Sequence, residues 1–191
     1  TDVRVRRALE ETLREANRTL ERKAFVDSLT GLYNREFLAE SIQRELARTR
    51  RHETCIAVLM IDLDRFKQVN DRFGHGTGDE VLMAVSGALK SGLREGDILA
   101  RYGGDEFCAL LPGADAVSAA QVAERVRAQV ATLSLGITGD IDVRASIGLA
   151  TSSDLEEGAG GKMLLECADR ALLTAKRRGG DRVVAAGGEL L

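Results

Sequence analysis

The 191-residue sequence predicts an α/β fold of the α+β kind, a mixed sheet with helices packed on its faces. Three observations carry that expectation. Segments with apolar residues at helical spacing alternate with short, continuous apolar runs of strand length. Two of those runs meet at Gly103-Gly104, which signals an antiparallel hairpin inside the alternating pattern. The composition, 44% hydrophobic and 30% charged, is that of a globular chain able to bury a core.

Residues 1–26 lack Gly and Pro and place Leu9, Leu13, Ala16 and Leu20 at spacings of four and three, so they read as a helix with a narrow apolar seam. That helix either packs on its own domain or pairs two copies as a coiled-coil stalk. Asp27 to Arg35 form a joint, with Gly31 as a turn and Asn34 capping a helix that runs to about Arg50. Cys55 to Ile61 is a continuous apolar run, suited to a strand buried on both faces. Gly74, Gly76 and Gly78 make a Gly-rich loop, with Thr77 and Asp79 as caps for a helix whose Val81, Leu82, Val85 and Leu89 face inward. In this loop His75 reads as a packing residue. After the hairpin come a helix over about 116–132, a strand over 143–150, an acidic loop over 151–161, a helix with Leu164, Ala168, Ala171 and Ala175 on one face, and a short strand over 182–185. The expected division is a stalk over 1–26, one domain over 27–186 and a loose tail over 187–191.

Charge and composition narrow the function. Lys and Arg number 27 against 30 Asp and Glu, a net charge of -3, so no basic field of the kind that draws nucleic-acid polymers is present. No apolar run reaches the length that spans a bilayer, which argues against direct membrane insertion. Cys55, Cys108 and Cys167 are odd in number and widely spaced, so they support neither a disulfide framework nor a zinc site and fit a reducing cytoplasm. Thr1 in place of an initiator Met, with no secretory signal, reads as a piece of a longer chain whose regulatory segments lie upstream.

The chemistry-bearing residues are acids. Asp105 and Glu106 follow the Gly103-Gly104 turn, where neighbouring carboxylates can hold a divalent cation beside a phosphate or decorate a solvated turn. Asp62 and Asp64 end the central strand on one face by the period of two. They either lie in water or form a metal site with another converging acid.

Five motifs then stand in one order: Asp27 to Arg35, Asp62-Leu63-Asp64-Arg65-Phe66-Lys67, Asn70-Asp71, Gly74-His75 with Gly78-Asp79, and Gly103-Gly104-Asp105-Glu106-Phe107. Together, over about residues 25–186, they resemble the GGDEF domain of diguanylate cyclases. The resemblance implies a polymerase-palm-like, ferredoxin-related fold with a largely antiparallel sheet, and condensation of two GTP into cyclic di-GMP across a homodimer. It also implies Mg2+ or Mn2+ held by Asp62, Asp105, Glu106 and the Leu63 carbonyl, with Asp105 and Glu106 catalytic. Asn70 and Asp79 would read guanine, Asp79 accepting from the N1 and N2 protons that adenine lacks. Phe66, Lys67, Gly103, Gly104 and Lys176 would meet the rest of the GTP. Arg94 and Asp97 match the family's Arg-x-x-Asp inhibitory site for cyclic di-GMP, with Arg65 as a secondary contact.

One departure stands out. Where the family carries a phosphate-binding arginine after the last helix, this chain has Gly180, with Arg178 or Arg182 as candidate substitutes. Leu173 also replaces a frequent aromatic. An upstream sensory or receiver domain is expected as partner, and two other readings stay open at this point: an effector that binds cyclic di-GMP through Arg94 and Asp97 with little or no turnover, and a dimerising signalling module whose N-terminal helix matters more than any nucleotide.

Overall fold

The computed structural model describes Arg7 and residues 25–133, 142–156 and 158–187. Arg7 and Phe25 are helical, while Leu9, Leu13, Ala16 and Leu20 of the expected seam and tail residues 188–191 lie outside the described residues.

Six strands form one mixed sheet in the order β1-β3-β4-β2-β5-β6. They are β1 (Tyr33–Asn34), β2 (Ile56–Asp64), β3 (Ile98–Arg101), β4 (Glu106–Pro112), β5 (Arg144–Thr151) and β6 (Val183–Ala185). The helices are α1 (Arg35–His52), α2 (Phe66–Phe73), α3 (His75–Ser91), α4 (Ala116–Ala131) and α5 (Gly161–Arg177). β2 runs antiparallel to β4 on one side and to β5 on the other, and the outer pairs β1–β3 and β5–β6 are parallel. The segment from β2 through α3, β3, β4 and α4 to β5 is a β-α-β-β-α-β unit of the ferredoxin-like kind.

Alternation along β2 sorts the two cores. Ala57, Leu59, Ile61 and Leu63 face Val81, Val85 and Leu89 of α3 and Ala119, Ala123, Val126 and Val130 of α4. Ile56, Val58 and Met60 face Leu38, Ile42 and Leu46 of α1 and Leu164, Ala168 and Leu172 of α5. Both faces are covered, so β2 is apolar throughout until Asp62.

Local signals explain most boundaries. Asn34 caps α1 by accepting the Phe37 N–H at 3.1 Å. Asp115 and Ser118 form a reciprocal cap on α4. The Gly-rich stretch departs from expectation: α3 begins at His75, so Gly76, Thr77 and Gly78 lie inside its first turn, and its N-cap is Gly74 with no side-chain cap from Thr77 or Asp79. Phe66–Phe73 is a helix too, although sequence patterning left it unassigned.

Helix α5 lies directly on the backbone of β5. A Cβ at Gly148 would sit 2.1 Å from the Ala168 carbonyl oxygen and 2.3 Å from the Leu172 nitrogen. Gly148→Ala is therefore expected to push α5 off the sheet and cost about 2 kcal/mol or more of stability. Urea unfolding checks this, with a lower midpoint at unchanged slope as the expected result.

Candidate active site

The site forms where β2 leaves the sheet. In register, Asp62 lies opposite Glu106 of β4 on one side and Ser146 of β5 on the other. Asp62 is 6% exposed. Its carboxyl is pushed up to about 6: burial raises it most, the hydrogen bond and charge of Lys176 hold it down, and the charges of Asp105 and Glu106 add to the rise. Lys176 Nζ, reaching from the last turn of α5, stands 2.6 Å from Asp62 Oδ1. The close contact at Gly148 thus has a functional consequence, because it lets α5 deliver this ammonium.

The hairpin closes through the Tyr102 and Gly103 N–H groups, which donate to the Glu106 carbonyl at 2.8 and 3.1 Å. Gly103-Gly104-Asp105 forms the loop. The Leu63 N–H donates to the Asp105 carbonyl at 3.3 Å, tying that loop to the end of β2. Neither Gly103 nor Gly104 has a positive φ. A Cβ at Gly103 would lie 2.6 Å from Glu106 Oε2, so any larger residue there would turn the Glu106 carboxylate aside.

Among the described residues no three His, Cys, Asp or Glu side chains form a ready-made ion cage. Even so, the donor chemistry at this point fits a hard divalent cation. Asp62, Asp105, Glu106 and the Leu63 carbonyl are all oxygen donors, the set that Mg2+ and Mn2+ accept while keeping water ligands. A buried carboxylate crowded by two acids calls for positive charge, and Lys176 supplies it here.

Beside the acids lies a cavity of about 360 Å³ walled by Phe66, Lys67, Asn70, Asp79, Gly104 and Asp105, together with His75, Leu82 and Arg101. The predicted residues Asn70 and Asp79 come together there, one from α2 and one from α3. Gly78 makes their approach possible: a Cβ would stand 1.9 Å from Asn70 Oδ1 and 3.3 Å from the Phe66 ring. Its role is steric and within a helix, where the sequence pattern reads a Gly-rich loop. Phe66 and Lys67 open α2, whose N-terminus has no side-chain cap. His75, which the sequence reads as a packing residue, and Arg101, to which it assigns no role, are both wall residues of this cavity. Their positions immediately after Gly74 and two residues before Gly103 were the available signal.

Asp64 has separate work from Asp62. Its Oδ1 accepts from Ser146 Oγ at 2.7 Å and its Oδ2 from the Asp181 N–H at 2.8 Å. Gly180 has φ +77, and a Cβ there would lie 3.0 Å from the Asp64 carboxylate. Glycine at 180 therefore belongs to a tight turn held by Asp64. Arg182 Nε donates back to the Gly180 carbonyl at 3.0 Å.

Arg94 and Asp97 form a turn on another face. The Arg94 N–H and Nε donate to the two Asp97 oxygens at 3.0 Å each, and Nη2 donates to the Pro112 carbonyl. The Asp97 side chain is buried while Arg94 is largely exposed. Both line a cavity of about 500 Å³ with Val26, Tyr33 and Lys90. Arg65 lines a different cavity, with Arg72, Arg144 and Asp181, so one chain does not bring Arg65 to Arg94.

Comparison with known proteins is consistent with this geometry. The family model "Diguanylate cyclase, GGDEF domain" matches residues 24–182. Diguanylate cyclase DgcP of Pseudomonas aeruginosa is 40% identical over 162 residues, covering 84% of this chain and 24% of that protein. Diguanylate cyclase DosC of Escherichia coli is 42% identical over 160 residues, covering 83% of this chain and 34% of that protein. This chain therefore spans about a quarter to a third of the length of those relatives. Among solved structures, the coiled coil and GGDEF domain of DgcB from Caulobacter crescentus, in complex with c-di-GMP, aligns with a TM-score of 0.86 at 33% identity over 94% of each chain.

The raised Asp62 carboxyl sets a pH expectation. A divalent cation binds the ionised form, so affinity should fall as pH drops through about 6 and weaken about tenfold for each further unit. Calorimetric titration with Mn2+ across this range checks it, and a flat affinity would remove Asp62 from the ligand set.

Proposed function

The chain belongs to the GGDEF domain family of diguanylate cyclases, and we propose that it condenses two GTP into cyclic di-GMP and two pyrophosphates. Each 3'-hydroxyl attacks the other nucleotide's α-phosphate in line, breaking the bond to pyrophosphate. The observation that carries this reading is the register of Asp62 with Glu106, with Asp105 beside them at the wall of the 360 Å³ cavity.

The residue roles follow from placement. Asp62, Asp105, Glu106 and the Leu63 carbonyl would hold Mg2+ or Mn2+, which would supply charge neutralisation at the phosphates and Lewis-acid polarisation. Asn70 and Asp79 hydrogen-bond the guanine edge, with Gly78 giving Asn70 its place. Lys67 and the open N-terminus of α2 at Phe66 and Lys67 receive phosphate oxygens. Lys176, 2.6 Å from Asp62 Oδ1, stands where it would also meet the triphosphate. Gly103 and Gly104 leave room for phosphate and sugar, and Glu106 takes the proton of the attacking hydroxyl. Proton transfer, charge neutralisation and in-line positioning supply the barrier reduction, and no covalent nucleophile is needed.

One chain presents one such cavity for a reaction of two nucleotides, so two copies face each other as a homodimer. Arg94 and Asp97 form an inhibitory site for the product, and Arg65 reaches that ligand only from a second copy. GTP as substrate fits a cytoplasmic setting, under an upstream sensory or receiver domain. Among the described residues no helix is long and apolar enough to cross a membrane. Gly180 leaves one fewer phosphate cation than the family pattern, which is the observation favouring the second reading, a cyclic di-GMP effector of low turnover.

Turnover decides between the two. With GTP and Mg2+ the domain should release cyclic di-GMP at a rate rising faster than linearly with protein concentration, and Asp105→Ala should lower kcat at least about a hundredfold. Tight product binding without turnover would select the effector. In calorimetry with cyclic di-GMP, Arg94→Ala should weaken binding about tenfold or more by removing charge-assisted contacts.

A further inference from the structure

At its tip the loop that carries Asp105 is open. A Cβ at Gly104 would meet nothing within 4 Å. Its carbonyl is nevertheless held twice by one side chain, Arg101, whose Nε and Nη2 donate at 3.2 and 2.8 Å. The remaining nitrogen, Nη1, donates to both Asp27 oxygens at 3.2 and 3.3 Å. Every nitrogen of this guanidinium is therefore engaged, with its side chain 17% exposed. Asp27 is itself fixed, since Oδ1 accepts from the Thr30 N–H at 2.9 Å and the Thr30 hydroxyl at 2.7 Å.

A second contact joins the same two segments. The Arg35 guanidinium lies 4.7 Å over the Tyr102 ring, a cation–π contact. Between the two contacts, the parallel pairing of β1 with β3 sets Asn34 beside Arg101. Residues 27–35 thus touch the catalytic loop through Arg101 and Tyr102. Just before them, Phe25 packs edge-on against Phe37 of α1 with ring centroids 5.6 Å apart.

We infer that Arg101 and Asp27 are positioning residues for the reaction, a strut that fixes the Gly104 carbonyl and so sets the catalytic loop against the nucleotide cavity. This rests on the cyclase reading of the site. Neither residue takes part in bond making. Arg101 walls the cavity and transmits to Gly104 the position of the joint at residues 27–35. Charge-assisted bonds in a partly desolvated setting are about twice as strong as neutral ones, so the loop follows Arg101.

Three variants test the strut. Asp27→Asn keeps an oxygen for Thr30 and removes the charge that holds Arg101. Arg101→Lys keeps the charge and loses the fork that reaches two carbonyl and carboxylate partners at once. Asp115→Ala removes the reciprocal cap of α4, at the far end of β4, and controls for lost stability. Measured at a temperature where thermal melts show all four proteins folded, the first two should lower kcat/KM about tenfold or more, while Asp115→Ala keeps the parent value. Hydrogen exchange reads the strut without turnover: the Tyr102 and Gly103 amides, bonded to the Glu106 carbonyl, should exchange about tenfold faster in Asp27→Asn, with Asp97 unchanged. Parent-like exchange in Asp27→Asn, or an activity loss in Asp115→Ala equal to the other two, overturns the inference. A parent protein that makes no cyclic di-GMP while Asp27→Asn still speeds exchange sinks the cyclase reading and leaves the strut standing.

Discussion

A carboxylate on a strand covered on both faces must be met by positive charge, and the arrangement of this domain around β2 follows from how Asp62 is met. β2 has a hydrogen-bonded neighbour on each side and helices on each face, so its even-numbered residues point to α1 and α5. Asp62 shares that face and finds Lys176. Slipping the strand by one residue would turn Asp62 into the core of α3 and α4, where an unpaired carboxylate costs several kcal/mol. The same register sets Glu106 opposite Asp62. Strand register and site electrostatics are thus one constraint, and Gly148 serves both by admitting α5 to within reach.

The parts legible in the sequence are those written in local periodicity. The apolar run before Asp62, the Gly103-Gly104 hairpin, and the inward faces of α4 and α5 depend on spacing within one element, so pattern alone places them. The period of two also puts Asp62 and Asp64 on one face. What it could not divide was their labour. Asp64 is committed to Ser146 Oγ and to the Asp181 N–H, partners 82 and 117 residues away in sequence. The presence of Gly180 becomes intelligible only beside Asp64, where positive φ and a crowded Cβ position coincide.

The glycines before Asp79 show a different failure of pattern reading. Three glycines in five residues signal a loop, because each costs helix stability relative to alanine. Here two of them sit in the first turn of α3, since Gly78 must make way for Asn70 Oδ1. Tertiary packing overrides propensity at the spot where α2 and α3 close on each other. Helix α2 went unseen for a related reason: it is eight residues long and enters from Arg65 in the left-handed region with no side-chain cap. His75 and Arg101 carry no periodic signal, and a wall residue of a cavity built from four segments is visible only in three dimensions.

The joint over residues 26–35 occupies a position that its two-residue strand would not suggest. Val26 and Tyr33 wall the cavity that holds Arg94 and Asp97, while Asp27 and Arg35 contact Arg101 and Tyr102, which lead into the Gly103-Gly104-Asp105 loop. A pairing as short as β1 with β3 supplies little stability by itself. Side-chain contacts therefore fix the joint, and they run to both sites. On the proposed reading, a ligand seated between Arg94 and Tyr33 and a nucleotide seated against Gly104 bias one short segment from two sides. Coupling between sites needs such a shared element with unequal contacts in each state. Asp27 stands at the start of that segment, so a displacement of the chain at residue 27 reaches the Gly104 carbonyl through a single side chain, Arg101.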